Sequence, residues 1–282
     1  MAQAAELINL AGLLLLGAGF LWRDRKAHSL RMIGWVLVGL YWFFRSFDYL
    51  SHDDQFNALG AGLALPIFCF LGFHEFQSFK WDDDYPPLRF VAGAMFIAGI
   101  GYSLVQNVPE FSRVMIDIVA HQSVWFANLG GYDFAVGEVT SEGAYLVGVP
   151  IVIVLECTAI QAYFIAGSFL FGCRGKTSKR LAIFSVIVPV VWLVNLIRNA
   201  MVIILVYKNG VEAFDFAHNI LGKGLSLVAL ILLIIAAFIT VPELYEDING
   251  MFELPWRKGP KHDYLRFVGR LYQEKEDGAG KE

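Results

Sequence analysis

The chain has 282 residues, of which 57% are hydrophobic and 17% charged, with a mean hydropathy of +0.55; a soluble domain carries roughly 25% charged residues, so the composition excludes one. A formal net charge of −4 and the lack of a basic arm point away from nucleic acid. Three irregularly spaced cysteines, Cys69, Cys157 and Cys173, exclude a disulfide framework and a zinc cluster.

Apolar blocks recur along the sequence, several exceeding the ~20 residues that cross a ~30 Å hydrocarbon core. They must be helical, because lipid offers no partner to an unpaired backbone group. In chain order they cover residues 7–22, 32–50, 56–73, 88–106, 145–171, 181–207 and 214–241. Pro66, Pro150, Pro189 and many glycines lie inside them, as membrane helices allow. The first block follows no basic leader and is long enough to be retained, so no cleavable signal peptide is expected. The expected fold is an all-α, polytopic bundle of about seven transmembrane helices. Residues 1–241 are expected to form one transmembrane domain, and residues 242–282 a polar C-terminal tail.

Lys and Arg set the orientation. Arg23, Arg25, Lys26 and Arg31 follow the first block, Lys80 and Arg89 flank the connection to the fourth, and Arg174, Lys176, Lys179 and Arg180 follow the fifth. The tail, from Arg257 to Lys281, is also basic, whereas the opposite side holds Arg113 and Lys208. This split predicts an external N-terminus and a cytoplasmic C-terminus. The external connection 107–144 is too long for a simple turn. Within it Phe111, Val114, Met115, Ile118, Val119, Trp125 and Leu129 recur at mostly helical spacing. That spacing predicts an interfacial amphipathic helix near 111–129; the competing reading is a loop covering helix ends.

Ionisable groups inside membrane spans are costly and mark function by default. On the orientation above, Cys157 in the fifth block, Arg198 in the sixth and His218 in the seventh all lie toward the external side. Each has a plain alternative. A membrane Cys is often a small apolar filler, which suits Cys69 and Cys173. Arg198 could pair with Glu156, and His218 could be an interfacial residue that meets water. The surroundings favour a site: Glu156, Cys157 and Thr158 interrupt an apolar run, Gln161 follows one turn on, and Asn195, Arg198 and Asn199 form a polar stripe at i, i+3 and i+4. Arg45 and Asp48 read as a local structural pair. Lys223 either binds an anionic head group or snorkels outward.

Cys, His and Arg together suit acyl transfer. The thiolate is the nucleophile, and a nearby cation makes it easier to form. The imidazole takes the thiol proton and returns one to the leaving amine, while the guanidinium stabilises the oxyanion. Glu156 would oppose thiolate formation if ionised beside Cys157, and is expected instead to orient Arg198.

The segments Leu-Glu-Cys-Thr-Ala-Ile-Gln (155–161), Asn-Leu-Ile-Arg-Asn (195–199) and Phe-Ala-His-Asn (216–219) together resemble the exosortase/archaeosortase family. The Glu-Cys-Thr-Ala form is most similar to its archaeosortase A branch. The resemblance occupies about the last half of the chain; the first four spans match in hydropathy only. It maps the family's catalytic Cys, Arg and His (Arg in some archaeal members) onto Cys157, Arg198 and His218; the polar surroundings read above add Glu156, Thr158, Gln161, Asn195, Asn199 and Lys223 as expected supporting residues. It implies a membrane transpeptidase in an archaeal cell membrane with its site facing outside. Its partners would be exported surface or S-layer proteins ending in a Pro-Gly-Phe type motif, a transmembrane helix and a basic tail. A membrane lipid acceptor would resolve the thioester, leaving the substrate lipid-anchored. No metal or organic cofactor is implied.

Two rivals remain. One is an intramembrane protease without ligation. Phe214 and His218 have the spacing of prenyl-type proteases but lack the paired glutamates upstream, and neither Gly167-Ser168-Phe169 nor Gly224-Leu225-Ser226 supplies a rhomboid nucleophile. The other is a small-solute transporter with Arg198, Lys223 and Glu156 lining a path; it lacks the paired repeats that transporters often show.

Overall fold

The computed structural model describes residues 2–257; the rest of the expected tail, 258–282, lies outside the described residues. The chain is a polytopic helical membrane protein. Four of the described helices are long and apolar enough to cross a membrane: Gln55–Trp81, Pro86–Asn107, Thr177–Asn209 and the continuous run Ala213–Thr240. The chain divides into two compact units, Met1–Phe96 with Tyr245–Glu282, and Ile97–Leu244.

The first unit is built on α1 (Ala2–Leu21), α2 (Arg25–Ser51) and α3 (Gln55–Trp81), with the start of α4 (Pro86–Asn107). Asp24 starts α2 by accepting from the Ala27 amide at 3.2 Å, and Asp54 starts α3 by accepting from Asn57 at 3.1 Å, the usual cap for otherwise orphaned donors. Helices α1 and α2 meet backbone to backbone at Gly12 and Gly34: a β-carbon on Gly34 would stand 2.9 Å from the Gly12 carbonyl oxygen. Small residues permit that approach where the hydrophobic effect gives little help.

One end of this unit holds a buried charge cluster. Arg31, 1% exposed, donates from Nε to Glu75 Oε1 at 2.7 Å and from Nη1 to the Gly19 carbonyl at 2.6 Å. His28 Nδ1 lies 2.7 Å from Glu75 Oε2. Arg31, counted above among the orienting surface charges, is thus an internal group. Arg45 pairs with Asp48 at 3.0 Å, the local i, i+3 contact expected. Past the second unit, the chain returns in the later part of α10 (Pro242–Glu253), where Tyr85 Oη donates to the Gly250 carbonyl at 2.8 Å.

The second unit contains α5 (Pro109–Asn128), a three-stranded antiparallel sheet, α6 (Ile160–Gly172), α7 (Thr177–Asn209) and the run Ala213–Thr240. Pro109 ends α4 and opens α5, since Val108 before it is extended. A helix therefore occupies the stretch where an interfacial one was expected, and its packed face is Ser112, Ile116, Val119, Ala120, Ser123, Val124 and Ala127. Of the seven apolar residues read above as one stripe, Val119 is buried, Met115 is half-buried, and Phe111, Val114, Ile118, Trp125 and Leu129 are exposed.

The fifth block, 145–171, does not form the single helix expected. Its residues enter β2 (Ala144–Val147) and β3 (Val152–Ile153), pass a 3₁₀ turn (Leu155–Thr158), and only then begin α6. Gly148, at φ +92°, and Pro150 break the run, and the β-branched residues between them and the turn suit a strand. Strand β1 (Ala135–Val139) pairs with β2, and β2 with β3 in the register Ala144↔Ile153. The sheet is therefore a departure from the all-α expectation. Asn128 fixes its entry, donating to the Phe134 carbonyl and accepting from the Phe134 amide, both at 2.9 Å. Ile116, Val119 and Val124 of α5, Leu146 and Ile153 of the sheet, and Val202, Ile203 and Val206 of α7 form one buried core. Each such side chain contributes about 1.5–3 kcal/mol on leaving water.

Candidate active site

Cys157 lies on the 3₁₀ turn between β3 and α6, half-buried and packed against the core just described. The turn is held internally. The Cys157 amide donates to the Val154 carbonyl at 2.9 Å, and Thr158 Oγ1 donates to the Leu155 carbonyl at 2.6 Å. Thr158 is fully buried and committed to the turn. Ala159 follows in the left-handed region at φ 59°, ψ 12°, which disfavours any residue with a β-carbon by roughly 1–2 kcal/mol. Strain of this sort persists only where its surroundings enforce it, and it concentrates at functional sites. It also separates Cys157 from Gln161, which stands on α6 and donates to Tyr102 Oη at 3.0 Å. The two do not share a helical face.

Helix α7 presents its polar stripe to this turn. Asn195 Nδ2 donates to the Cys157 carbonyl oxygen at 2.8 Å, and Asn199 Nδ2 donates to the same oxygen at 3.1 Å. Asn199 Nδ2 also reaches Ser123 Oγ on α5 at 3.2 Å. One turn of α7 thereby grips the main chain of the candidate nucleophile. A second tie lies nearby, where Trp192 Nε1 donates to Gln122 Oε1 at 2.7 Å.

Arg198 stands between the two asparagines in sequence and is half-buried. Its Nε is buried without a hydrogen-bond partner, and no ion pair joins it to Glu156 among the described residues. Glu156 is exposed, so the expected orientation of Arg198 by Glu156 is not what the structure has. The arginine stem is instead held against Gly222, where a β-carbon would stand 2.9 Å from Arg198 Cγ.

Gly222 ends a π-helical segment, Phe216–Gly222, within the run Ala213–Thr240, and that segment carries His218. Wide turns of this type recur at functional sites. The His218 ring stacks on Phe214 with centroids 5.2 Å apart and planes 9° from parallel. Asn219 Nδ2 donates to Asp215 Oδ1 on the same stretch. Lys223, exposed, follows the π segment at the start of α9 (Lys223–Thr240).

The electrostatics link these groups. Burial pushes the Cys157 thiol above its ordinary value, and Glu156 adds to that; a hydrogen bond to the thiol from the Val154 main chain and the positive charge of Arg198 pull it back down. The positive charge of Arg198 thus acts on the thiol, while its stem packs against the segment that bears His218. The other cysteines differ. Cys173 is buried and donates to the Leu170 carbonyl at 3.2 Å, a structural filler, and Cys69 is exposed on α3.

Sequence reasoning missed Ser123, Gln122, Ala159 and Gly222. A signal existed for the first two: they are adjacent polar residues inside the apolar run of α5. No group of three or more metal-ligating side chains occurs among the described residues. No curated protein and no solved structure matches the chain. The family described as transmembrane exosortase matches it over residues 3–235.

Proposed function

Because the chain belongs to the transmembrane exosortase family, we propose that it is a membrane cysteine transpeptidase acting on exported proteins, with Cys157 as nucleophile, Arg198 as oxyanion stabiliser and His218 as general acid and base. The observation that carries this reading is the position of Arg198. Its helix turn binds the Cys157 main chain through Asn195 and Asn199, while its own stem lies against the π segment that bears His218.

The chemistry follows from that arrangement. His218 takes the thiol proton as Cys157 Sγ attacks the carbonyl carbon of the scissile peptide bond. The carbonyl oxygen gains the negative charge and faces the guanidinium, whose Nε has no hydrogen-bond partner among the described residues; stabilisation of this kind usually contributes most to the rate. The carbon–nitrogen bond then breaks, the amine leaves with the proton from His218, and the substrate remains as a thioester on Cys157. A hydroxyl or amine of a lipid head group attacks the thioester, and the thiol is restored as its carbon–sulfur bond breaks. Lys223, exposed beside the π segment, suits the anionic head group of that acceptor. The substrate is a surface protein ending in a Pro-Gly-Phe type motif, a transmembrane helix and a basic tail, as in the archaeosortase A branch. The site faces the outside, and the remaining apolar segments complete a bundle of about seven crossings whose tail, 242–282, is cytoplasmic.

The test is to co-express the chain with a tagged protein bearing such a signal and weigh the product. A lipid adduct supports ligation. A shorter free protein supports proteolysis alone, and an unchanged substrate removes the reading.

A further inference from the structure

The carbonyl oxygen of Cys157 accepts two side-chain hydrogen bonds from a single turn of α7, at 2.8 Å from Asn195 and 3.1 Å from Asn199. Both asparagines are more than nine-tenths buried, and so is Ser123, which accepts from Asn199. An Asn amide has two N–H donors. In Asn199 one serves Cys157 and the other serves Ser123, so its orientation is fixed from two elements at once. Nothing in a 3₁₀ turn requires its carbonyl to be held this way; the turn already closes through Val154 and Leu155.

Arg198 lies on the same face of the same turn, three residues after one asparagine and one before the other. A carbonyl held from α7 fixes the rotation of the Cys157 peptide, and with it the direction of the Cα–Cβ bond relative to Arg198. We infer that Asn195 and Asn199, with Ser123 behind them, are positioning residues that set the register between the Cys157 thiol and the Arg198 guanidinium. This rests on the catalytic reading above and adds how the pair is held together. The clamp joins the β3–α6 turn and α5 to α7 through the Asn199 amide, so slack in any one of them is felt as a change in Cys–Arg geometry.

The test is a double-mutant cycle on thiol reactivity, which needs no substrate. Membranes containing the full chain are treated with iodoacetamide across a pH range, and Cys157 labelling is followed by peptide mass. The charged groups acting on the thiol are Arg198 from α7 and Glu156 from its own turn, so Arg198→Gln should raise the pH midpoint in the otherwise native chain. In the Asn195→Ala/Asn199→Ala background the same change should raise it by less than about half as much, because coupled neighbours lose their interaction when either is loosened. Ser123→Ala should reduce the Arg198 effect in the same direction by a smaller amount. Ile203→Val, a core trim in the same unit, should leave it intact.

An Arg198→Gln shift of equal size in the clamp and native backgrounds would overturn the inference. If the double-alanine chain fails to reach the membrane, Ser123→Ala and Asn195→Ser decide by the same reading. Loss of those milder variants as well would show the three residues to be structural only and would also overturn it. In turnover assays the clamp variants should lose kcat by tenfold or more, at roughly unchanged KM, since the Cys–Arg register bears on the transition state. Failure of the catalytic reading shows up separately, as normal processing by Cys157→Ala with the alkylation cycle unaffected.

Discussion

The stem of Arg198 lies across Gly222, with Cγ 2.9 Å and Cδ 3.2 Å from the point where a β-carbon would stand. A methyl group there must displace the arginine or the π segment. Gly222→Ala should therefore lower turnover by up to about 10²-fold, the order expected when a positioned group shifts by roughly an ångström, and Gly222→Val should lower it further. Protein levels in the membrane should stay near normal, because Gly222 is not at a left-handed backbone position. A steady-state assay beside a quantitative blot checks both.

Arg198 should not tolerate replacement by lysine. Its planar fork offers donors that an ammonium on a thinner stem cannot reproduce. Arg198→Lys should lose on the order of 10²-fold in kcat while inserting normally. Wild-type turnover would reduce it to a structural cation.

The pH dependence of Cys157 follows from the opposing influences on it. Burial and Glu156 favour the thiol, while Arg198 favours the thiolate. Removing the cation in Arg198→Gln leaves the first two unopposed by it, so the labelling midpoint moves to higher pH. At a fixed pH below the midpoint, each pH unit of that rise cuts the thiolate fraction about tenfold. Iodoacetamide labelling of Cys157 between pH 6 and 10 measures it. A midpoint that falls would mean that Arg198 is not the acting cation.

Ala159 holds φ 59° without being glycine. Ala159→Gly relieves that conformation but also loosens the unfolded chain, so the net gain should be roughly 1 kcal/mol or less, read as a slightly higher thermal midpoint with activity retained. Ala159→Val should do the opposite and lower both, since a β-branched residue is a true outlier there.

How much of this was legible beforehand depends on the kind of signal. Long apolar blocks with a period or a length of their own, such as those that became α3, α4, α7 and Ala213–Thr240, were readable because the hydrocarbon core imposes both. The stretch 145–171 was not, because a buried strand and a buried helix look alike in a short apolar run; Pro150 with the β-branched Val152 and Ile153 was the clue. The candidate nucleophile, arginine and histidine were identifiable from motifs. Their support was legible in part: Asn195 and Asn199 stood out as a polar stripe and Gln122 with Ser123 as polar residues in an apolar run, whereas Gly222 matters only through tertiary contact. Arg31 shows the reverse error. It reads as a surface charge after the first block, yet it is buried against Glu75.

That buried cluster makes its own prediction. Glu75→Gln removes the carboxylate shared by Arg31 and His28 and leaves Arg31 with Asp84 at 3.5 Å. Breaking a buried pair from one side costs about 3–5 kcal/mol, so the thermal midpoint in detergent should fall sharply. Replacing His28, Arg31 and Glu75 together by leucine should be far milder, because no uncompensated charge remains. Equal loss in both would point away from charge compensation.

The most direct test of the account asks whether substrate is ever bonded to Cys157. Membranes with a tagged substrate are incubated with hydroxylamine, and the substrate is weighed intact. The native chain should release a shortened substrate carrying a C-terminal hydroxamate in place of lipid, Cys157→Ser at most a trace, and Cys157→Ala none, although all three insert equally. Processing by Cys157→Ala at the native rate, with or without hydroxylamine, would contradict the account.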